Sequence, residues 1–269
     1  MRVIAGKYGS RPLRSLRGLD LRPTSDRLRE TLFDVLGPAV TGSVFVDLYA
    51  GTGAVGIEAV SRGADHVVFV EKHAAAAKLI RSNLRSLGID LPGERPGRPR
   101  LVASRSARAA EASRAATVEF PGGEPSVEVL TLDAVKALAL LHQRRLLADF
   151  VFVDPPYAEA HEYQRALEAL STARILAPAA RVIVETARSA KRPPAQHSAA
   201  NGESPDSGRF GRSRDAGRRH HQAPSSSERG TAIRPSAWAP ADRIGALERT
   251  RIVEQGDSLL VFYRLALAA

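Results

Sequence analysis

Five short apolar runs, separated by four stretches with helical spacing, restrict this chain to very few folds. Val44–Leu48, Val67–Val70, Val127–Leu132, Phe150–Val153 and Arg181–Val184 are too short for helices and read as buried strands. Between them, Gly53–Arg62, Ala74–Leu87, Ala134–Leu141 and Tyr163–Leu170 carry apolar residues at helical intervals. Strands alternating with helices need crossover connections, which are right-handed and give a parallel sheet covered on both faces. The end of the chain departs from this pattern. Leu247–Glu254 and Ser258–Leu265 flank Gln255-Gly256-Asp257, so the sheet is expected to finish in an antiparallel hairpin.

Ahead of the first strand, Arg2, Lys7, Arg11, Arg14, Arg17 and Arg22 stand against one acid, Asp20, and Gly6, Gly9 and Pro12 suggest a small hairpin with a basic face. Pro23-Thr24-Ser25-Asp26 then opens a helix with Thr24 or Ser25 as N-cap. Leu28, Leu32, Val35 and Leu36 form its buried stripe, and Gly37-Pro38 stops it. Residues 1–37 are therefore expected to form a basic extension and helix, and residues 38–269 the α/β domain. Two stretches interrupt that domain. Residues 88–125, with Pro92, Pro96, Pro99 and Pro121, read as a loop insertion. Residues 187–245 hold few large apolar side chains (Phe210, Ile233, Trp238, Ile244) and are expected to be disordered, because so little apolar surface cannot offset chain entropy.

Lys and Arg number 39 against 29 Asp and Glu, a net charge of +10. Such a balance favours a polyanionic partner, nucleic acid before an anionic membrane, with simple solubility charge as the competing explanation. The absence of cysteine excludes disulfides, thiolate metal sites and thiol nucleophiles. The seven histidines have no metal-ligand spacing, so no metal is expected. No apolar run approaches the roughly 18 residues of a membrane span, and the start lacks the apolar core of a signal peptide. A cytoplasmic monomer is the expectation.

The first strand runs into Tyr49-Ala50-Gly51-Thr52-Gly53-Ala54-Val55-Gly56 and a helix. Gly51-x-Gly53-x-x-Gly56 lets the backbone turn tightly and approach a ligand, with unpaired N–H groups at the helix start offered to an anionic group. Twenty residues after Gly51, at the tip of the next strand, Glu71 is placed to accept both hydroxyls of an adenosine ribose. These features alone do not choose between NAD and S-adenosylmethionine. Asp47, four residues before Gly51, is placed to meet the ammonium of a methionine moiety and turns the reading towards the latter. The cofactor-binding candidates here are Asp47, Ala50, Gly51, Thr52, Gly53 and Glu71.

Asp154-Pro155-Pro156-Tyr157 follows the strand Phe150–Val153 directly. Two prolines fix φ twice and remove two backbone donors, so the strand must give way to a stiff loop. That loop offers a carboxylate, a free backbone carbonyl and an aromatic face together. It suits a planar base with an exocyclic amino group, and has no evident purpose in hydride transfer. An aromatic amine is a weak nucleophile because its lone pair is delocalised. Accepting both N–H bonds, from Asp154 and the Pro155 carbonyl, would drive the nitrogen towards sp³ geometry, while Tyr157 stacks on a base unstacked from its strand.

With these residues in hand the chain resembles the RsmD-type methyltransferases. The resemblance rests on Arg2-Val3-Ile4-Ala5-Gly6, Arg22-Pro23-Thr24-Ser25-Asp26-Arg27-Leu28-Arg29-Glu30 and Asp47-Leu48-Tyr49-Ala50-Gly51-Thr52-Gly53. It also rests on Gly56-Ile57-Glu58-Ala59, Ser61-Arg62-Gly63-Ala64, Glu71 and Asp154-Pro155-Pro156-Tyr157. It implies a seven-stranded Rossmann-like S-adenosylmethionine-dependent methyltransferase sheet with an antiparallel last strand and a small basic extension at the amino terminus. It implies methyl transfer to the N2 amino group of a guanine in 16S ribosomal RNA, on the small subunit or an assembly intermediate. By the same resemblance Asp133 faces the adenine amino group of the cofactor. The basic residues Arg2, Lys7, Arg11, Arg14, Arg22 and Arg27 are the RNA-binding candidates, a solvated basic face being as good a reading for any single one.

Competing functions remain. An adenine-N6 or other amino-directed DNA or RNA methyltransferase uses the same loop, a dehydrogenase uses the same glycine turn, and a non-catalytic RNA-binding assembly factor would keep only the fold. Glu58 and Glu185 could touch the site, but read first as exposed carboxylates, on a helix face and at a strand end.

Overall fold

The apolar runs become strands covered on both faces. A computed structural model of the chain describes residues 1–15, 24–91, 125–156, 160–188 and 239–266. Val44–Asp47 (β1), His66–Val70 (β2) and Ala148–Val153 (β4) are buried along their whole length. Apart from Asp47, His66 and Asp149 these strands are apolar, because neither face meets water. Ser126–Leu130 (β3) and Leu176–Ala187 (β5) complete a parallel set, in the order β3-β2-β1-β4-β5. Ser258–Leu265 (β8) then runs antiparallel to β5, and Leu247–Gln255 (β7) antiparallel to β8. Gln255 pairs with Ser258 across a two-residue turn in which Gly256 has φ +59°, the left-handed conformation such a turn demands.

Among the described residues the sheet has eight strands, one more than expected, because Arg243–Ile244 (β6) pairs with the start of β7. Two residues are too few to leave a periodic signal in the sequence. β6 and Ala187 of β5 also fall inside the 187–245 stretch read as disordered, and their ladder bonds correct its edges. Likewise Ile89 and Leu91, within the expected 88–125 insertion, pack into the core. The remainder of both stretches lies outside the described residues.

Side-chain alternation sorts the two faces by type. Phe45, Phe69, Phe150 and Phe152 point to one side, against Asp26–Leu36 (α1), Ala54–Ser61 (α2) and Ala74–Ser86 (α3). Val44, Val46, Val68, Val70, Val151, Val153, Val182 and Val184 point to the other, against Ala134–Gln143 (α4) and Ala160–Thr172 (α5). In β1, β2 and β4 a one-residue slip would exchange the rings for branched aliphatics, which fixes their register.

The amino-terminal segment forms a strip, not a free-standing hairpin. Its one bridge joins Arg2 to Pro12, and Val3, Tyr8 and Leu13 sink into the phenylalanine-side core. Ile4 and Ala5 donate their N–H groups to Glu58 of α2 at 2.7 and 3.0 Å. Asn83 of α3 closes a two-bond ladder with the backbone of Arg14, at 2.9 and 3.2 Å, and also donates to the Thr52 carbonyl at 3.1 Å. Ser25 is the N-cap of α1, accepting from the Leu28 N–H at 3.2 Å, which leaves the Thr24 side chain free of that duty.

Candidate active site

Each parallel strand delivers an acid at or beyond its carboxyl end: Asp47, Glu71, Asp133, Asp154 and Glu185 in strand order β1 to β5. This is the edge at which open α/β sheets bind ligands. Beyond β1, Gly51 and Gly53 take φ of +52° and +78°, and Gly53 is the N-cap of α2. Gly56 meets a different demand. A Cβ there would lie 2.3 Å from Phe69 Cε1, so only a bare backbone lets α2 rest on β2.

Two acids fix the turn. Glu71 accepts from the N–H groups of Gly51 at 2.9 Å and His73 at 2.7 Å. Asp47 accepts from the Gly56 N–H at 2.9 Å. The expectation of unpaired amides at the start of α2 is thereby corrected for Gly56. β1 brings a carboxylate to the helix terminus, which satisfies that donor and neutralises part of the helix dipole. Burial raises the Asp47 carboxyl to about 7, the Gly56 bond opposing and Glu71 adding to the shift.

A cavity of about 300 Å³ opens beside these strand ends. Among its walls are Ala50, Gly51, Thr52, Glu71 and Asp133 from the cofactor candidates, and Asp154, Pro155 and Pro156 from the acceptor loop. They meet because β1 and β4 are neighbours, with Leu48 N–H donating to the Phe152 carbonyl at 2.9 Å. Asp47 and Gly53 do not line the cavity and act on it through the turn they brace. Tyr157 lies outside the described residues. Asp133 lines the wall but also caps α4, accepting from Val135 N–H at 3.1 Å, and pairs with Arg165 at 3.0 Å. Arg165 in turn pairs with Glu162 at 3.0 Å, and Glu162 accepts from the Tyr49 hydroxyl at 3.1 Å.

Glu71, Asp133, Asp154 and Glu162 put four carboxyl groups on the wall, against the ammonium of Lys72. Apolar Leu48, Val55, Val70, Leu132 and Phe152 complete it. A pyrophosphate would meet repulsion here, whereas a compact ligand with a flat ring and a positive charge finds complementary surfaces.

Asp154 is half-buried on this wall. Its Oδ2 accepts from the Thr24 hydroxyl at 3.5 Å, the outer limit of a hydrogen bond, and the residue stands beside Glu185, because Val153 and Val184 just before them are paired. Burial, then Glu185, then Asp47 push the Asp154 carboxyl well above the ordinary carboxylate range. The Pro155 carbonyl accepts from the Tyr163 hydroxyl at 3.3 Å, and Tyr163 accepts from Thr186.

The reading of Glu58 and Glu185 as exposed is overturned. Glu58 is fully buried between the strip and Arg62, which donates to it at 2.8 Å, and Glu185 is 3% exposed at the foot of the acceptor loop. Sequence reasoning also passed over Tyr163 and Asn83. The one available signal was the recurrence of an acid after every parallel strand, which singles out Glu185 as the fifth of a series.

Arg2, Lys7, Arg11, Arg14 and Arg27 are all exposed, and Arg22 lies outside the described residues. Arg2 stands 3.7 Å from Asp26, Arg14 reaches Ser82 at 3.4 Å, and Lys7 lies over the Tyr8 ring. Arg29, in the same basic stretch, is fully buried and structural, bonding Asp26 at 2.6 Å and the Arg2 carbonyl at 2.8 Å.

A parallel five-strand set closed by a reversed hairpin, with its ligand cavity at the β1–β4 edge, defines a Rossmann-like methyltransferase fold. A solved Escherichia coli chain, yhhF, titled as a candidate methyltransferase, shares it at a TM-score of 0.56 and 20% identity, covering 100% of this chain and 99% of its own. A conserved hypothetical protein of Streptococcus pyogenes does so at 0.51 and 21%, over 88% and 94%. The chain belongs to the family described as conserved hypothetical protein 95, which matches residues 1–116 and 100–209, and the RsmD-type resemblance read from the sequence stands. It is 42% identical over 87 residues to ribosomal RNA small subunit methyltransferase D of Haemophilus influenzae, 32% of this chain and 45% of that protein. It is 30% identical over 157 residues to the protein of that name from Escherichia coli K12, 58% of this chain and 60% of that one. The chain thus spans about half the length of the curated relatives it matches.

Proposed function

We propose that this chain transfers a methyl group from S-adenosylmethionine to the N2 amino group of a guanine in 16S ribosomal RNA, on the small subunit or a precursor of it. The observation that carries the reading is a single cavity bordered by the glycine turn, Glu71 and the Asp154-Pro155 acceptors. The names of the relatives supply the RNA class. The acid-rich wall fits a sulfonium donor better than a dinucleotide, and the amide of Gly56, which a phosphate would need, is already taken.

Glu71 would hold the ribose hydroxyls, for which each of its oxygens keeps an unused lone pair. Ala50, Gly51 and Thr52 would line the donor, and Asp47 would hold their turn in shape. When bound, S-adenosylmethionine supplies an electrophilic methyl on a sulfur whose positive charge disappears on transfer, so no metal is needed. Asp154 and the Pro155 carbonyl would accept the two amine N–H bonds, and Tyr157 would stack on the extruded base. The exposed arginines and Lys7 would meet phosphates.

Purified protein, labelled S-adenosylmethionine and small subunits lacking the modification provide the test. Label in one guanine, as the N2-methyl base, is expected. Label in adenine or in DNA, or no incorporation at all, overturns the reading.

A further inference from the structure

The acceptor loop is held from behind by side chains that do not reach the cavity. Val153 of β4 pairs with Val184 of β5, so the next residues, Asp154 and Glu185, stand side by side at the ends of adjacent parallel strands. The charge of Glu185 bears directly on Asp154 and raises its affinity for a proton. Two acids this close cannot both ionise at low cost, so together they retain a proton and titrate as a pair. The described groups facing them are the hydroxyls of Thr24, Tyr163 and Ser258 and one further acid, Asp47.

The two members of the pair are not equivalent. Asp154 lines the cavity and accepts from Thr24, a bond that favours its ionised form. Glu185 is 3% exposed and lies away from the cavity, where a proton costs less than a charge. We propose that Glu185 is the positioning residue of the acceptor loop: it carries the proton the two carboxyls share, donates it to Asp154, and leaves Asp154 an ionised acceptor aimed at the amine. This inference rests on the methyltransferase reading above and deepens it. In the reaction the amine nitrogen forms its bond to the methyl carbon as the methyl–sulfur bond breaks, leaving a neutral thioether. The proton the nitrogen then sheds passes to Asp154, which still has an unprotonated oxygen, and from there to water through the cavity. Tyr163 plays the matching part for the second acceptor, its hydroxyl donating to the Pro155 carbonyl.

Glu185→Gln keeps a donor of the same shape and cannot ionise, whereas Glu185→Ala removes the donor. Both are expected to bind S-adenosylhomocysteine like the wild type in calorimetry, which reports on folding and on the donor pocket alone. Turnover should fall about 100-fold in the alanine variant, as for a misplaced reacting group, and stay within a few-fold of wild type in the glutamine variant. Wild type should also lose activity at alkaline pH, as the shared proton leaves, and Glu185→Gln should not. Infrared difference spectra, at a pH where Asp47 is ionised, should hold a protonated-carboxyl band in the wild type that Glu185→Gln abolishes and Asp154→Asn shifts. Wild-type turnover in Glu185→Ala, or a band absent from the wild type or surviving in Glu185→Gln, overturns the proposal. The infrared measurement needs no substrate. If the band behaves as expected but no RNA is methylated, the reading of the reaction fails while the paired carboxyls stand.

Discussion

A carboxyl such as that of Asp47, lifted by burial from 3.8 to about 7, imposes a definite pH dependence on folding. In the unfolded chain Asp47 loses its proton near pH 3.8, and in the folded protein it keeps it up to about 7. The unfolded state therefore binds fewer protons across that window, and stability falls as pH rises through it. The full effect is on the order of 4 kcal/mol, reached near pH 7. Asp47→Asn, which keeps an acceptor for Gly56, should flatten the dependence in denaturant titrations between pH 4 and 7; an unchanged slope would show that the residue ionises freely. Asp154 acts on rate. Asp154→Ala removes one of two acceptors for the amine and should lower turnover at least about 100-fold, with S-adenosylhomocysteine affinity largely kept, because the glycine turn and Glu71 do not depend on it. Near-normal methyl incorporation by that variant would end its assignment as an acceptor.

Two junctions between elements set how far the site tolerates change. α2 rests on β2 through the bare backbone of Gly56, and a methyl there would strike Phe69. Gly56→Ala should cost about 1–3 kcal/mol, as overpacking does, and Phe69→Leu should recover part of the loss in the double variant. Additive losses in urea unfolding would place the strain elsewhere. The strip is joined to α2 by Glu58, whose oxygens answer Ile4, Ala5 and Arg62. Glu58→Ala strands two amide donors and a guanidinium and should destabilise by about 3 kcal/mol. A loss under 1 kcal/mol would mean that water replaces the carboxylate. These junctions also mark the boundary of what sequence reasoning reached. The strands, the hairpin, α1 with its cap and the two loops that border the cavity were legible because each is a local pattern of period, proline or glycine. Glu58 was not, since its partners in the strip, Ile4 and Ala5, are more than fifty residues away and a lone glutamate on a helix looks solvated. Glu185 was missed for the same reason: its burial follows from lying beside Asp154 across a parallel ladder, which no local window contains. β6 was too short for any period.

At the scale of the whole molecule, charge is the leading quantity. With a net charge of +10 and five candidate cations exposed, RNA affinity should fall linearly on a log–log plot against salt. Alanine at Arg2, Lys7, Arg11, Arg14 or Arg27 should reduce that slope by about one wherever the side chain meets a phosphate. A slope unmoved in all five variants would assign the RNA face to another part of the surface. Among the described residues no helix is long and apolar enough to cross a membrane. The amide of Asn83 ties the charged strip to the cavity, because one side chain grips both the backbone of Arg14 and the carbonyl of Thr52. It behaves as a rivet through two plates. Lengthening the strip between Val3 and Arg14 by a single residue would pull both plates off it together, so strips exchanged among relatives will function only where that count is preserved.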